Sequence, residues 1–495
     1  MILRVFIAEG YALQDRQSIC GDLHKWLSKR PRHPTCLQVC EEPVHWHDHL
    51  GLSHRLHDKL QTDRSNDMTA MDENAGAPTV PASAPTAHDV RMRGFQRRAE
   101  VADVWRWIDQ HARPLSVETV GVDHTSGRVL ARDVVADLEV PAFDRSAMDG
   151  YALRADETTG AGDYNPLAFR VIGSAFPGRP FDGMVQTGQA VRVMTGAPLP
   201  AGADAVVPAE YVRNTPNGVE ISMPFGPGKH IGRVGEDIAR GVTVLAAGRR
   251  LRPQDAGVLA SLGMSQVPAV RRPQVRIIVT GNEVVAPGQP KGVHDIYDAN
   301  SAMLCGLVAR DGGVLQARLR TDDDPARIRT AITESGADVV LISGGSSVGT
   351  EDHAPRLLAQ VGELAIHGVA MRPSSPAGCG RVGETLVFLL PGNPVSCLCA
   401  YDFFAGRAIR LRGGLSTDWP YRQRRAVLAR KLVSAIGRVD YCRVRLRHGE
   451  VEPLALSGAS VLSSTTRADG FVVVPADSEG HAPGSEVTVY LYDPI

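Results

Sequence analysis

At 495 residues the chain is too long for one hydrophobic core, since domains of roughly 100 to 200 residues are usual. A 43% hydrophobic and 22% charged composition with a formal net charge of −1 gives no global pull towards nucleic acid or an anionic membrane, so any anion site must be local. No window reaches the roughly 18 to 20 apolar residues of a membrane helix and the N-terminus lacks a signal-peptide pattern, which predicts a cytoplasmic protein. The 8 cysteines are too sparse for a disulfide framework and are expected reduced, while 50 glycines and 33 prolines imply many short elements joined by tight turns.

Residues 1–95 differ from the rest, with a Ser/Ala/Pro/Thr stretch at Ala77–Thr86 that cannot bury enough apolar surface to fold. They read as a leader or linker. His45, His47, His49, His54 and His57 lack the spacing of a metal site, and Met68 and Met71 are alternative starts. From Gln96 to Val140 the sequence predicts an amphipathic helix on Val101, Val104, Trp105 and Ile108, then strands at Glu118–Val122 and Arg128–Val135. Residues 141–237 carry short strands between Gly/Pro turns, such as Phe169–Ile172, Ala190–Met194 and Ala205–Pro208, and predict a small β domain. Residues 238–272, with a short helix near Asp255–Leu262, read as completing the 96–140 unit.

The rhythm changes at 273–412 to strand, loop, helix, repeated. Val275–Val279, Val314–Leu319, Val339–Ile342 and Thr385–Leu390 are apolar strands, and Ser301–Arg310 presents Leu304, Leu307 and Val308 on one helical face. Asp324 and Pro325 open a further helix. This alternation predicts a three-layer α/β domain with a mostly parallel sheet, whose ligands bind beyond the carboxyl ends of the strands. Residues 420–495 return to strand text and predict a last small β domain.

Three loops fall at those strand ends: Thr280-Gly281-Asn282-Glu283, Ser343-Gly344-Gly345-Ser346-Ser347-Val348-Gly349, and Pro391-Gly392-Asn393-Pro394. In the second, glycines allow amide groups to turn towards an anion with hydroxyls beside them. In the third, Asn393 is expected to cap a helix whose first residue is Pro394 and whose positive end faces the same crevice. Each loop alone reads equally well as a plain turn; three in one sheet favour a phosphate guest. Asp298 and Asn300 open a helix, and Glu351 and Asp352 follow the glycine loop. Capping explains the first pair as readily as ligation, but carboxylates beside phosphate loops are the usual holders of Mg²⁺, so a metal role is expected for at least one acid. The acidic segments 141–152 and 232–237 read, on their chemistry alone, as surface turns.

Taken in order, PAFDRSAMDGYA at 141–152, RVMTGAPLPAGADAVV at 192–207, GRVGEDI at 232–238, VTGNEV, IYDAN, SGGSSVGTEDH and LLPGNPVS closely resemble the MoeA-type molybdopterin molybdotransferases, the family that includes the gephyrin E domain. The likeness spans roughly 97–495. It implies four domains per subunit: an elongated discontinuous one (96–140 with 238–272), two small β domains (141–237 and 420–495), and the α/β pterin-binding domain (273–412). It further implies a homodimer with a cleft shared between subunits, Mg²⁺, molybdate and adenylylated molybdopterin as reactants, and AMP as product.

Carried over by position, Asp144, Asp149 and Asp237, with Ser146, Thr195 and Glu236, form the β-domain wall, and Asp144, Asp149, Asp237 and Asp352 are the catalytic acids. Thr280, Gly281, Asn282, Asn300, Ser343 to Gly349 and Pro391 to Pro394 bind the pterin nucleotide, while Glu283, Asp298 and Asp352 hold the metal. Two departures stand out. The family usually carries Asp at Asn282, and Lys-Pro-Gly-Lys-Pro in place of Arg372-Pro373-Ser374-Ser375-Pro376, whose lysines help hold the oxyanion. Arg372, Ser375, Arg443 and Ser463 or Ser464 remain to hold it, which leaves molybdate and tungstate both open. The rival readings are a non-catalytic paralogue or scaffold and the preceding adenylyltransferase step; the adenylyltransferase itself is an implied partner.

Overall fold

The protein is described by a computed structural model at residues 95, 97–347, 349, 352–455 and 458–493. The leader with its histidines, Val348 and Glu351 lie outside the described residues. No helix among the described residues is long and apolar enough to cross a membrane, and Cys305, Cys379, Cys397, Cys399 and Cys442 are free thiols.

The central sheet follows the order Val314–Thr321, Gln274–Thr280, Val339–Ser343, Thr385–Leu390, Gly378–Val382, Glu363–His367. The first four strands are parallel and the last two run antiparallel. Val339–Ser343 is buried along its whole length, which explains its unbroken apolar text: both faces of the sheet are covered. On one face Asn300–Arg310 and the helical run from Pro394 pack over Val275, Ile277 and Leu341; on the other, Pro325–Thr333 and Ala354–Val361 cover Ile278, Val340 and Ile342.

Arg276 interrupts the apolar run of its strand, yet it is fully buried. Its guanidinium donates to the carbonyls of Ala331 at 3.0 Å, Glu334 at 2.6 Å and Ser335 at 2.9 Å, capping the negative end of the Pro325–Thr333 helix. The other end is held as the sequence predicts, with Asp324 accepting from the Ala326 amide at 2.8 Å.

The first helix, Val101–His111, is amphipathic as expected, but its apolar face joins the core of the central sheet. Trp105 stacks on Phe403 and donates to its carbonyl at 2.8 Å, and Arg407 makes two bonds to Asp109. The helix is therefore a partner of the α/β layer and not of the segment that follows it. That segment is built by antiparallel pairing of Val117–Gly121 with Gln266–Val270 and of Val134–Val135 with Thr243–Leu245, over a shared core of Leu130, Val134, Leu245, Leu259 and Val267.

Residues between these two strips form a six-stranded sheet in the order Ala205–Pro208, Gly150–Leu153, Gln189–Val193, Leu167–Ala175, Gly218–Ile221, Val212–Thr215. At the C-terminus, Gly470–Val474 pairs both with Glu486–Leu491 and with Val439–Arg447, which closes that sheet on itself around Leu428, Val444, Val472 and Val489. A short strand from the α/β half, Met371–Arg372, adds to it in parallel, placing Arg372 opposite Asp440.

Candidate functional site

Pairing of Val279 with Ser343 and of Ser343 with Leu390 brings the three loop-bearing strand ends level. Beyond them lies a cavity of about 660 Å³ lined by Thr280, Gly281, Glu283, Asp298, Asn300, Asp323, Ser343 to Ser347, Asp352 and Pro391 to Pro394, with Tyr297 and Ser460. Residue type is dictated locally. Gly344 has φ +98°, and a Cβ there would stand 2.4 Å from the Thr280 carbonyl oxygen, so only glycine lets the loop pass the neighbouring strand.

Asn300 ties two loops together: its side-chain amide donates to the Ser343 hydroxyl at 2.9 Å and to the Gly392 carbonyl at 2.7 Å. Ser346 donates to the Leu390 carbonyl at 3.1 Å, and its own carbonyl accepts from His367 Nε2 at 2.9 Å. Burial pushes the His367 imidazole below its ordinary range, outweighing the Ser346 carbonyl and the negative charge of Asp352. The glycine loop is thus held by a neutral histidine that sequence reasoning did not single out; Phe95 packs edge-on against its ring.

The Asn393 side chain makes no bond to the helix it precedes, contrary to expectation. The amide of Val395 is instead taken by the Ala459 carbonyl at 2.9 Å, so a segment beside the barrel caps what Asn393 was expected to cap. The helical run is not uniform either: Pro394–Ala400 passes through a π turn at Tyr401–Ala405 into Gly406–Arg412. The opened ladder is satisfied from outside, with the Asp402 carbonyl accepting from the Trp419 indole at 3.0 Å and the Phe403 carbonyl from Trp105.

The acids of the cavity differ in what they already hold. Asp298 is buried, accepts from the amide and hydroxyl of Ser301, and stands 3.5 Å from Arg318. Asp352 accepts from the Gly349 amide at 2.5 Å. Asp323, absent from the predicted set, exchanges bonds with Asn282 at 3.3 and 3.1 Å, which makes Asn282 a clasp between two loops. Burial raises the Asp323 pKa, and the neighbouring negative charge of Glu283 adds to the rise. Four carboxylates line this cavity and no lysine or arginine does.

A second cavity of about 790 Å³ shares Pro376, Pro391 and Asn393 with the first and is lined by Arg98, Arg372, Ser374, Ser375 and Arg438. Arg372 pairs with the buried Asp440. Arg443, predicted to face an oxyanion, is fully buried and lines neither cavity, although a Cβ on Gly458 in the second would stand 4.0 Å from its guanidinium.

The remaining predicted residues assemble elsewhere. Segments 144–149, 194–199 and 230–238 are stitched together by the Ser146 to Ala197, Ala147 to His230 and Gly196 to Ser146 backbone bonds. Asp144 accepts from the Val234 amide at 2.9 Å and from Arg233 at 2.8 Å, and Asp149 from the Thr195 amide and hydroxyl at 2.7 and 2.8 Å. For each the backbone bond is the largest cause holding the carboxyl below its usual range, so both are fixed negative charges at neutral pH and not proton donors. Glu236 accepts from the Arg233 amide at 3.0 Å, Ser146 is buried and Asp237 is exposed. None of them lines the cavity of the glycine loop within the chain.

Fold and site together define a multidomain protein of α/β and β-rich parts with a ligand cavity at the carboxyl ends of its parallel strands. Residues 99–263 match the MoeA N-terminal region (domain I and II), 276–410 the probable molybdopterin binding domain, and 425–492 the MoeA C-terminal region (domain IV). The chain is 37% identical over 411 residues to molybdopterin molybdenumtransferase 2 of Mycobacterium tuberculosis, covering 81% of this chain and 99% of the relative. It is 31% identical over 393 residues to the molybdopterin molybdenumtransferase of Haemophilus influenzae, covering 78% and 96%. A crystal structure of the molybdopterin biosynthesis MoeA protein from Pyrococcus horikoshii OT3 superimposes with a TM-score of 0.68 at 31% identity, covering 80% of this chain and all of that one. The chain belongs to the MoeA family of molybdopterin molybdenumtransferases.

Proposed function

We propose that the protein inserts molybdenum into the dithiolene of adenylylated molybdopterin in the cytoplasm, releasing AMP, with the pterin nucleotide in the 660 Å³ cavity. One observation carries this reading beyond family membership: the cavity combines a glycine-rich loop and hydroxyl-bearing side chains with four carboxylates and no cationic side chain. A pyrophosphate entering there alone would meet like charge. A divalent cation resolves the conflict, and an all-oxygen donor set suits Mg²⁺.

Among the described residues no three acidic, cysteine or histidine side chains are grouped to hold an ion by themselves. Mg²⁺ tolerates this, because it keeps several waters and takes phosphate oxygens as ligands. One or two of Asp298, Glu283, Asp323 and Asp352 would hold it, with water and phosphate oxygens completing the shell. Bound there, the cation would supply charge neutralisation at the pyrophosphate, which would make AMP a better leaving group. The protein's own work is positional: the Gly344 amide ties the glycine loop to the Leu390 carbonyl, Asn300 locks the Ser343 and Gly392 loops in mutual register, and Asp352 fixes the far side of the glycine loop through the Gly349 amide. Molybdate is assigned to the adjoining cavity, where Arg372 and Ser375 stand.

Asp144, Asp149 and Asp237 come to the site from a second copy of the chain in this reading, which is supported by the shared cleft that the resemblance implies and by a cavity lined without them within one chain. The test is AMP release from adenylylated molybdopterin with and without molybdate and Mg²⁺. Release should require both, and should fall at least about 100-fold in Asp352→Ala, the scale on which loss of a preorganised charge or donor is felt. Wild-type protein that is folded and dimeric yet releases no AMP would overturn the catalytic assignment.

A further inference from the structure

The glycine loop is tied from two sides. On its inner side the Gly344 amide and the Ser346 hydroxyl both donate to the Leu390 carbonyl, at 3.2 and 3.1 Å, within the sheet that carries the loop. On its outer side the Ser346 carbonyl accepts from His367 Nε2 at 2.9 Å. Ser346 is buried and lines the cavity of the loop, so the group that holds its carbonyl also sets where the loop stands against a ligand.

His367 ends the outermost strand of the central sheet, Glu363–His367. Just beyond it the chain gains a neighbour from far away in sequence. The Ala99 amide donates to the Gly368 carbonyl at 3.0 Å and the Ala370 amide to the Ala99 carbonyl at 2.8 Å, which makes a parallel bridge with the stretch ahead of the first helix. This clip lays Phe95 on the strand end, its ring edge-on to the His367 imidazole with centroids 5.0 Å apart and planes at 85°. Gly368 makes the room: it has φ +90°, and a Cβ there would stand 2.4 Å from a Phe95 ring carbon. His367 Nδ1 is buried without a hydrogen-bond partner among the described residues. No second hydrogen bond therefore fixes the ring plane, which leaves its orientation to packing, with Phe95 as the aromatic neighbour.

We propose that Phe95 is a positioning residue for nucleotide binding: it seats His367, and His367 holds the glycine loop through the Ser346 carbonyl. This rests on the assignment of the pterin nucleotide to the cavity of that loop. The cavity is thereby coupled to the stretch of chain ahead of the first helix, although Phe95 does not line it. A loop released from His367 has to be put back in order each time a ligand binds, and that cost is subtracted from affinity.

The test is calorimetric titration of the full chain with AMP in the presence of Mg²⁺, which reads the dissociation constant and the number of sites separately and needs no turnover. Phe95→Ala and His367→Ala should each weaken binding at least about fivefold, the scale of one lost buried hydrogen bond, with the number of sites unchanged. His367→Gln, whose amide can stand in for Nε2 as donor, should bind within about twofold of wild type. The double variant Phe95→Ala/His367→Ala should bind no more weakly than His367→Ala, because Phe95 then has no imidazole to seat. A merely structural role for Phe95 would lower the number of sites and leave the dissociation constant as it is. The proposal is overturned by that result, by wild type that binds no AMP, by either alanine variant binding as wild type, by His367→Gln binding as weakly as His367→Ala, or by losses that multiply in the double variant. Failure of the catalytic reading shows separately, as wild type that binds AMP with these variant effects yet releases none from adenylylated molybdopterin.

Discussion

His367 shows how much of the site depends on residues away from the loops that a motif marks. Its Nε2 proton fixes the Ser346 carbonyl, and Nδ1 is buried without a hydrogen-bond partner among the described residues. Burial lowers its pKa, so the unfolded chain takes up a proton that the folded chain resists. The sign follows: the stabilising contribution is present above the ordinary value of 6.5 and is lost as pH falls through the lowered folded value. The unfolding temperature should therefore drop between about pH 7 and about pH 5.5 by more in wild type than in His367→Gln, whose amide still donates to Ser346. Equal pH profiles for the two proteins would show that another group sets the acid limb. The sequence marked Ser346 readily, as part of a glycine loop, but nothing in Glu363–His367 distinguishes a ligand-loop strut from an edge-strand histidine.

At the scale of elements, what could be read from the text was whatever chemistry acts within a few residues. Asp324 and Pro325 announce a helix start and the structure has one; the unbroken apolar runs at Val339–Ser343 and Thr385–Leu390 announce buried strands. Partners across the chain could not be read. An apolar stripe at Val101, Val104 and Ile108 says that a helix is buried, not against what, and it packs on Phe403 and Phe404 instead of on the segment that follows it. Asp323 carries no local signal of its own, because its role depends on Asn282 forty-one residues earlier. Arg276 is the clearest case of a tertiary override: a charge in the middle of a buried strand becomes the C-terminal cap of another helix. Arg276→Leu should leave those carbonyls without their donor, at a cost of about 2 to 4 kcal/mol of local stability. The measurable consequence is faster amide exchange across Ile328–Thr333 than elsewhere in the sheet; unaltered exchange there would mean that water replaces the guanidinium without loss.

At the scale of the whole molecule, the acids at 144–149 and 230–238 do not line the cavity built from 279–394 within one chain, and the proposed function brings them there from a second copy. A cleft completed by a second copy predicts complementation. Asp352→Ala and Asp149→Ala chains should each release little AMP, yet unfolding and refolding them together should recover roughly a quarter of wild-type activity, since half of the mixed dimers then carry one intact site of two. No recovery from a mixture shown to contain heterodimers would place both acids in a single subunit's site. The motifs make the loops of the α/β cavity legible at the level of the sequence, and they name the acids at 144–149 and 236–237 as its opposite wall only through the resemblance. They did not reveal the convergence of Arg98, Arg372 and Arg438, which exists only through strand register between the two halves of the molecule.

The π turn at Tyr401–Ala405 acts as a one-residue wedge in an otherwise regular cylinder. Each residue added to a helix swings everything beyond it by about 100°, so the wedge sets the phase between the end that abuts the cavity and the end that carries Arg410 into its buried pair with Asp311. It also frees the two carbonyls on which Trp105 and Trp419 are hung. Chain length is consequently fixed at this point by geometry in three directions at once, and a single-codon deletion here would be felt at the cavity of the glycine loop, at the first helix and at the root of the barrel, although none of the five residues lines either cavity.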